Sequence, residues 1–315
     1  MSKKSNNNGR AYEYIMLLTL SEAIGGKGKA TIRHNSSLTA AKRAWDTLTA
    51  NEQELYRLSA RAGAGAILDC EPLLTDGEPV ELFLQTDKEG KGGDVRDLVL
   101  RREHTAWEIG LSLKHNHFAV KHSRLSHRLD FGKSWLGYPC SQDYWHQTRP
   151  VFDFLHNAKQ EGRLFSEIKD KDQRIYLPLL TAFKRELLKI NALYSDTAQK
   201  LAEYLLGRFD FYKVISLDKE KITSTQGFNL HDTLNQPSRK ARPKVLVPPV
   251  ALPTTILYLD FYNASTTTLY LSMDKGWQFT LRLHNAEKIA KPSLKFDIQL
   301  VGMPATIISI ERSWY

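Results

Sequence analysis

Residues 94–128 constrain the fold more than any other stretch of the chain. Over Trp107-Glu-Ile-Gly-Leu-Ser-Leu-Lys, the residues Trp107, Ile109, Leu111 and Leu113 alternate with Glu108, Gly110, Ser112 and Lys114. Strict alternation marks a strand with one apolar face, because successive side chains leave the pleat on opposite sides. Ahead of it, Asp94-Val-Arg-Asp-Leu-Val-Leu-Arg-Arg is a second apolar strand, and Glu103-His-Thr is a polar turn between them. The pair is predicted to fold as a hairpin. In the first strand Asp97 shares a face with Val99 and Arg101, and it lies opposite Ser112 or Lys114 according to register. The segment that follows, Phe118-Ala-Val-Lys-His-Ser-Arg-Leu-Ser, is predicted as a helix carrying Lys121 and Arg124.

A carboxylate and a lysine on one face of a hairpin suit two different purposes. They form a cross-strand ion pair. They also form the kernel of a phosphodiester-hydrolysing site, in which the carboxylate holds a hard cation such as Mg²⁺ through oxygen and the ammonium stabilises charge on the phosphate. The surroundings favour the second. Gly110 and Ser112 leave room beside Asp97 and Lys114. The next residues carry Lys114, Lys121, Arg124 and Arg128 together with His115, His117, His122 and His127. The whole chain has a formal net charge of +9. That balance points to an acidic partner, nucleic acid first.

The same residues carry a resemblance. Gly93-Asp-Val-Arg-Asp, then Glu-Ile-Gly-Leu-Ser-Leu-Lys-His-Asn-His and Lys-His-Ser-Arg-Leu-Ser, closely resembles the HaeIII-like type II restriction endonucleases, a family similar to the wider PD-(D/E)xK nucleases. Trp277-Gln-Phe-Thr-Leu-Arg-Leu-His-Asn-Ala and Ser293-Leu-Lys-Phe-Asp-Ile-Gln-Leu extend it toward the C-terminus. The resemblance implies a Mg²⁺-dependent enzyme that cuts double-stranded DNA at GGCC, leaving blunt ends, and a homodimer on the palindrome. On that pattern Asp97 is the first acid and Lys114 the lysine. Ser112 stands where the second acid normally lies, two residues before the lysine. Glu108 is on that face but six residues away, roughly 20 Å along a strand. Asp94 is a further metal candidate, and Glu52, Glu54 or Glu81 are alternatives for the missing ligand. Ser112 also leaves open another class of function, a sequence-specific DNA-binding protein that keeps the fold without the chemistry. Charge alone is compatible with RNA binding too, but no RNP or KH signature is present.

The rest of the chain fits an α/β architecture: a PD-(D/E)xK-like core, a mixed sheet flanked by helices, with a helical insert and a β-rich C-terminal region. Residues 1–9 are polar and predicted disordered. Helices are expected from Arg10, over 37–50, and after Thr49 toward Leu68. Residues 150–206 read as mainly helical. The aromatic segment 130–150 suits either base stacking or a local core. The Pro-bounded basic stretch 237–244 reads as a linker, which gives a nuclease core over 1–235 and a DNA-recognition region over 236–315. In that region Arg282, His284 and Asn285, with Gln278 behind them, are candidates for base reading. His115, Asn116, His117, Lys121 and Arg124 are candidates for contacts nearer the cut. Two cysteines, Cys70 and Cys140, are too few for a disulfide framework. A polar N-terminus and the lack of a membrane-length apolar run give the expectation of a bacterial cytoplasmic protein.

Overall fold

A computed structural model describes residues 3–25, 29–86, 94–116 and 119–314. They form two compact units, and the chain passes between them more than once. The first unit is drawn from residues up to 118, from 207–250 and from 305 onward; the second from 119–206 and 251–304. The boundary expected at 235/236 therefore falls inside the first unit. The basic stretch 237–244 packs there as well: Lys244 Nζ pairs with Asp69 Oδ1 at 2.8 Å and Lys240 Nζ donates to the Asp76 carbonyl at 2.7 Å.

The first unit opens with α1 (Lys3–Gly25), so a helix occupies residues expected to be disordered. A short strand β1 (Lys29–Ile32) follows, then α2 (Ser36–Asp46) and α3 (Ala50–Cys70). Each of the latter two starts at a side-chain cap. Asn35 accepts from the Leu38 amide at 2.9 Å. Thr49 and Glu52 form a reciprocal capping box, which satisfies two amides that the first helical turn leaves unpaired.

Next come β2 (Pro79–Leu84), β3 (Leu98–Arg101) and β4 (Glu108–His115). After the second unit intervenes, β6 (Phe211–Leu217), β7 (Ile222–Phe228) and the late β12 (Ser309–Ser313) complete a seven-stranded sheet of order β1-β2-β3-β4-β6-β7-β12. It is mixed: β1/β2 and β4/β6 are parallel and the other pairs antiparallel.

Helices α1, α2 and α3 cover one face of this sheet. Leu98, Leu100, Ile109, Leu111, Leu113 and Val214 are buried against Tyr12, Met16, Leu20, Trp45 and Ile67. The small-residue run 60–66 of α3 permits this close approach. A Cβ on Gly63 would stand 2.9 Å from both Met16 and Val214 side chains. The expected hairpin is thus present, with its apolar face turned to the helices.

The second unit holds β5 (Ala119–Ser126), α4 (Gln142–Gln160), α5 (Leu177–Leu193), α6 (Thr197–Leu206), β8 (Ile256–Phe261), β9 (Thr268–Met273), β10 (Gln278–His284) and β11 (Ser293–Gly302). Its sheet is antiparallel, in the order β5-β11-β10-β9-β8. The segment expected as a basic helix is therefore a strand. Its side chains alternate: Ser123 and Leu125 are buried whereas Arg124 is exposed. The backbone partner that fixes this, β11, comes from far along the chain.

One face of the sheet is apolar, with Leu269, Leu271, Phe279, Leu281, Leu283 and Phe296 buried. Against it pack Phe131, Trp135 and Phe183, the last two within 5.9 Å of the Phe296 ring. The aromatic segment is core, with Phe131 and Tyr144 fully buried.

Candidate active site

Strand pairing brings Asp97 and Lys114 together. The register sets Leu98 opposite Leu111, and Asp97 directly precedes that pair. The Asp97 amide donates to the Leu111 carbonyl at 2.7 Å. Its Oδ2 accepts the Leu113 amide at 2.6 Å and the Lys114 ammonium at 3.1 Å. The carboxylate thus continues the ladder just where β3 stops, and that bond fixes its orientation. Both side chains are partly open, 28% for Asp97 and 23% for Lys114. Two central strands of a sheet holding a partly accessible carboxylate and ammonium are a rigid frame for chemistry on a phosphate.

Asp94 and Glu108, the other two metal candidates, are committed elsewhere. Arg96 lies between them, 2.8 Å from Asp94 Oδ2 and 2.7 Å from Glu108 Oε1. Gln85 also donates to Asp94 at 2.6 Å. Burial works against the Arg96 charge, but the bonds to Asp94 and Glu108 outweigh it and hold the guanidinium protonated. The arginine reaches Glu108 by crossing directly over Gly110, where an added Cβ would sit 1.9 Å from Arg96 Cδ. Glu108 is four strand residues from Ser112, about 13 Å.

The alternative acids are committed as well. Glu81 pairs with Arg101 at 2.6 Å, Glu52 caps α3, and Glu54 pairs with Arg57 at 3.5 Å. Among the described residues no group of three or more His, Cys, Asp or Glu is gathered in a way that could hold a metal ion. A Mg²⁺ site here fits a single protein carboxylate, Asp97, completed by water and substrate phosphate. That donor set is normal for Mg²⁺, which keeps several waters and often takes only one or two carboxylates.

Ser112 is 2% exposed, and in the register of β4 with β6 it faces Lys213, itself 3% exposed. Lys213 is the residue that sequence reasoning passed over. A lysine in the middle of Phe211-Tyr-Lys-Val-Ile was the available signal, since lysine is seldom buried. Burial, and then the nearby Lys114 charge, lower its proton affinity to about 7.

His115 points to the other side of the strand, as alternation requires. It sits 2.9 Å from Asp218 Oδ2 by Nε2 and 3.3 Å from the Tyr56 hydroxyl by Nδ1. Asn116 donates to Asp218 at 2.9 Å. These two residues join β4 to the end of β6 rather than lining the Asp97 side. His117 lies outside the described residues.

In the second unit, Lys121 and Arg124 part company. Lys121 turns to the inner face, where its ammonium donates to the Tyr204 carbonyl and lies 3.8 Å from the Tyr204 ring centre. Arg124 is on the outer face. Register there runs Arg124–Lys295–His284 across β5, β11 and β10, with Arg282 opposite Asp297 beside them. Arg124 and Arg282 are exposed. Burial and then Arg124 lower the proton affinity of Lys295. Burial also lowers that of His284, whose Nδ1 is 3.3 Å from the Asn285 carbonyl. Asn285 donates to the Glu287 carbonyl, so its side chain shapes the turn after β10. Gln278 is partly buried at the start of that strand. The outer face is thus a polar, cationic surface on a sheet whose inner face is apolar.

Comparison with known proteins agrees with the resemblance. The family model for the HaeIII restriction endonuclease matches residues 9–304. The type II restriction enzyme HaeIII of Haemophilus aegyptius is 47% identical over 316 residues, which cover 100% of this chain and 99% of that protein. No solved structure matches the chain. Among the described residues no helix is long and apolar enough to cross a membrane. The chain belongs to the HaeIII restriction endonuclease family and is a type II site-specific deoxyribonuclease of a restriction-modification system, an enzyme rather than a binding protein that keeps only the fold.

Proposed function

We propose that this enzyme hydrolyses both strands of duplex DNA at GGCC, cutting at the centre to leave blunt ends, with Mg²⁺ as its metal and a PD-(D/E)xK-like core as its scaffold. The observation that carries the reading is the Asp97–Lys114 pair, 3.1 Å apart where β3 meets β4 and partly open to solvent. The GGCC target is what the resemblance to the HaeIII-like endonucleases implies. A palindromic target calls for two-fold symmetry, so the working form is a homodimer on DNA. The site of action is a bacterial cytoplasm.

Asp97 offers an oxygen ligand and holds the Lys114 ammonium in place. Lys114 donates toward a non-bridging phosphate oxygen as negative charge builds there. Mg²⁺, when bound at Asp97, supplies a Lewis acid and a water of lowered pKa. Hydrolysis would join a water oxygen to phosphorus as that water gives up a proton to solvent, and would break the bond to the leaving sugar oxygen, which would take up a proton from solvent. Arg124 and Arg282 on the outer face of the second sheet are the proposed phosphate and base contacts; Arg pairs bidentately with guanine O6 and N7.

The test is digestion of a plasmid with mapped GGCC sites, in Mg²⁺ and in EDTA, by the wild type and Lys114→Ala. Discrete blunt fragments that require Mg²⁺ and disappear in the variant are expected. Cutting at another sequence would overturn the specificity alone. Undiminished cutting by the variant would remove Lys114 from the chemistry.

A further inference from the structure

Arg96 ties a second feature to the sheet face that carries Lys114. Its side chain crosses Gly110 to reach Glu108, and its guanidinium lies 4.0 Å from the centre of the Phe209 ring. Gly110, Ser112 and Lys114 project from one face of β4, so Phe209 stands on that face too. The ring is 44% exposed. With Trp107, Arg208, His231 and Gln236 it lines a cleft of about 660 Å³, a volume usual for sites that hold a small molecule. The buried Asp210 carboxylate fixes its shape. Oδ1 accepts the Leu230 and His231 amides at 2.6 and 2.8 Å, and Oδ2 accepts the Thr233 amide at 2.9 Å and the Thr233 hydroxyl at 2.8 Å. One carboxylate thus holds the wall that carries Phe209 against the wall that carries His231. Arg96 does not need a phenyl ring to satisfy it, since Asp94 and Glu108 already accept from its Nε and both terminal nitrogens. A leucine would cover the guanidinium as well; what it would lack is a flat aromatic face toward the cleft.

We propose that this cleft takes one base of the bound DNA, turned out of the duplex and stacked on the exposed side of Phe209, with Arg208 at the rim meeting the phosphate of that nucleotide. The inference rests on the reading of Asp97 and Lys114 as the reacting pair, which sets the DNA on this face. A phenyl ring stacks on any base, because every base has a π face, so the cleft grips DNA without itself reading sequence. The Arg96 guanidinium behind the ring adds a cation to the stack. Arg208 is exposed and suits the phosphate backbone. The one carboxylate facing it from β4, Glu108, is held by Arg96 at 2.7 Å. Gly110, beneath Arg96, is four strand residues from Lys114, about 13 Å. A DNA strand advances about 3.4 Å per nucleotide, so the cleft and the reacting pair engage one strand a few nucleotides apart. Leaving the duplex costs the base its stacking neighbours, and the ring offsets that loss.

The experiment compares the full-length wild type with Phe209→Leu, Phe209→Tyr and Lys114→Ala. Binding to a GGCC duplex is measured in Ca²⁺, with thermal unfolding and single-turnover cleavage in Mg²⁺ alongside. In a second series the duplex carries a single 2-aminopurine or pyrrolocytosine, bases that brighten on leaving the stack, moved in turn through the site and its flanks. Phe209→Leu keeps an apolar cover over Arg96 and loses the aromatic face. It is expected to bind about tenfold more weakly, the scale of one lost base–aromatic stack, while Phe209→Tyr stays near wild type. One labelled position is expected to brighten when the wild type binds and to stay dark with the leucine variant. Phe209→Met takes the place of leucine if that variant does not fold. A leucine or methionine variant that binds as tightly as the wild type overturns the proposal. So does a wild-type complex in which no labelled position brightens. Full activity in Lys114→Ala would instead remove the reading on which the proposal stands.

Discussion

Asp97 Oδ2 receives the Leu113 amide at 2.6 Å and the Lys114 ammonium at 3.1 Å, so a single oxygen ties the end of β3 to both the backbone and the side chain of β4. Replacement by asparagine keeps the shape but removes the charge that attracts both the ammonium and a cation. Asp97→Asn should therefore fold normally and lose about a thousandfold in cleavage rate. Single-turnover kinetics, with circular dichroism as the control on folding, checks it. A variant within tenfold of wild type would mean that Asp97 is only a structural partner of Lys114.

Glu108 gives the contrasting case. It shares a strand face with Lys114, but Arg96 holds it at 2.7 Å and its side chain is 41% exposed. An exposed partner of this kind contributes little to stability. Glu108→Gln should leave cleavage within about threefold of wild type, as expected for a group outside the reacting centre. Arg96→Met is different in kind, because Asp94 at 10% exposure would keep a nearly buried charge with its main partner gone. That loss should cost about 3 kcal/mol or more, read from denaturant unfolding.

The Asp97–Lys114 pair was legible in the sequence because alternation and a polar turn leave few ways to fold 94–114. Only the register remained open, and Leu98 opposite Leu111 closes it. The fate of Asp94 and Glu108 was not legible. Arg96 reaches one through a bond two residues back and the other by crossing Gly110, and neither route leaves a periodic trace. Residues 119–126, where the sequence predicts a helix, form a strand for a related reason. Their strand character comes from pairing with 293–299, which no local pattern reports. Lys213 joins Ser112 only through the parallel pairing of β4 with β6, made after the whole second unit has intervened.

Glu71 makes stability depend on pH. Burial pushes its carboxyl from 4.5 up to about 7, while the Tyr212 hydroxyl at 2.6 Å and the Asn235 amide at 2.7 Å pull it back in part. A carboxyl whose folded pKa is raised binds its proton more tightly in the native state. Its contribution is full below 4.5 and is lost as pH rises through about 7. Glu71→Gln should match wild type near pH 4.5 and exceed it at pH 8 by about 2 kcal/mol. Urea midpoints at the two pH values decide it. An equal effect of the substitution at both would show that Glu71 does not change protonation between them.

Lys121 and Arg124 were grouped as phosphate contacts, and the strand separates them. Lys121 faces inward against Tyr204, whereas Arg124 is exposed beside Lys295. Each phosphate contact releases condensed counterions, so losing one lowers the slope of log affinity against log salt by about one. Arg124→Ala should weaken binding to specific and non-specific duplexes alike and reduce that slope by about one. Lys121→Met should leave the slope unchanged, and lower stability through the lost contact with Tyr204. Fluorescence titrations over a series of salt concentrations separate the two, and a slope change in Lys121→Met equal to that of Arg124→Ala would contradict the inward placement of Lys121.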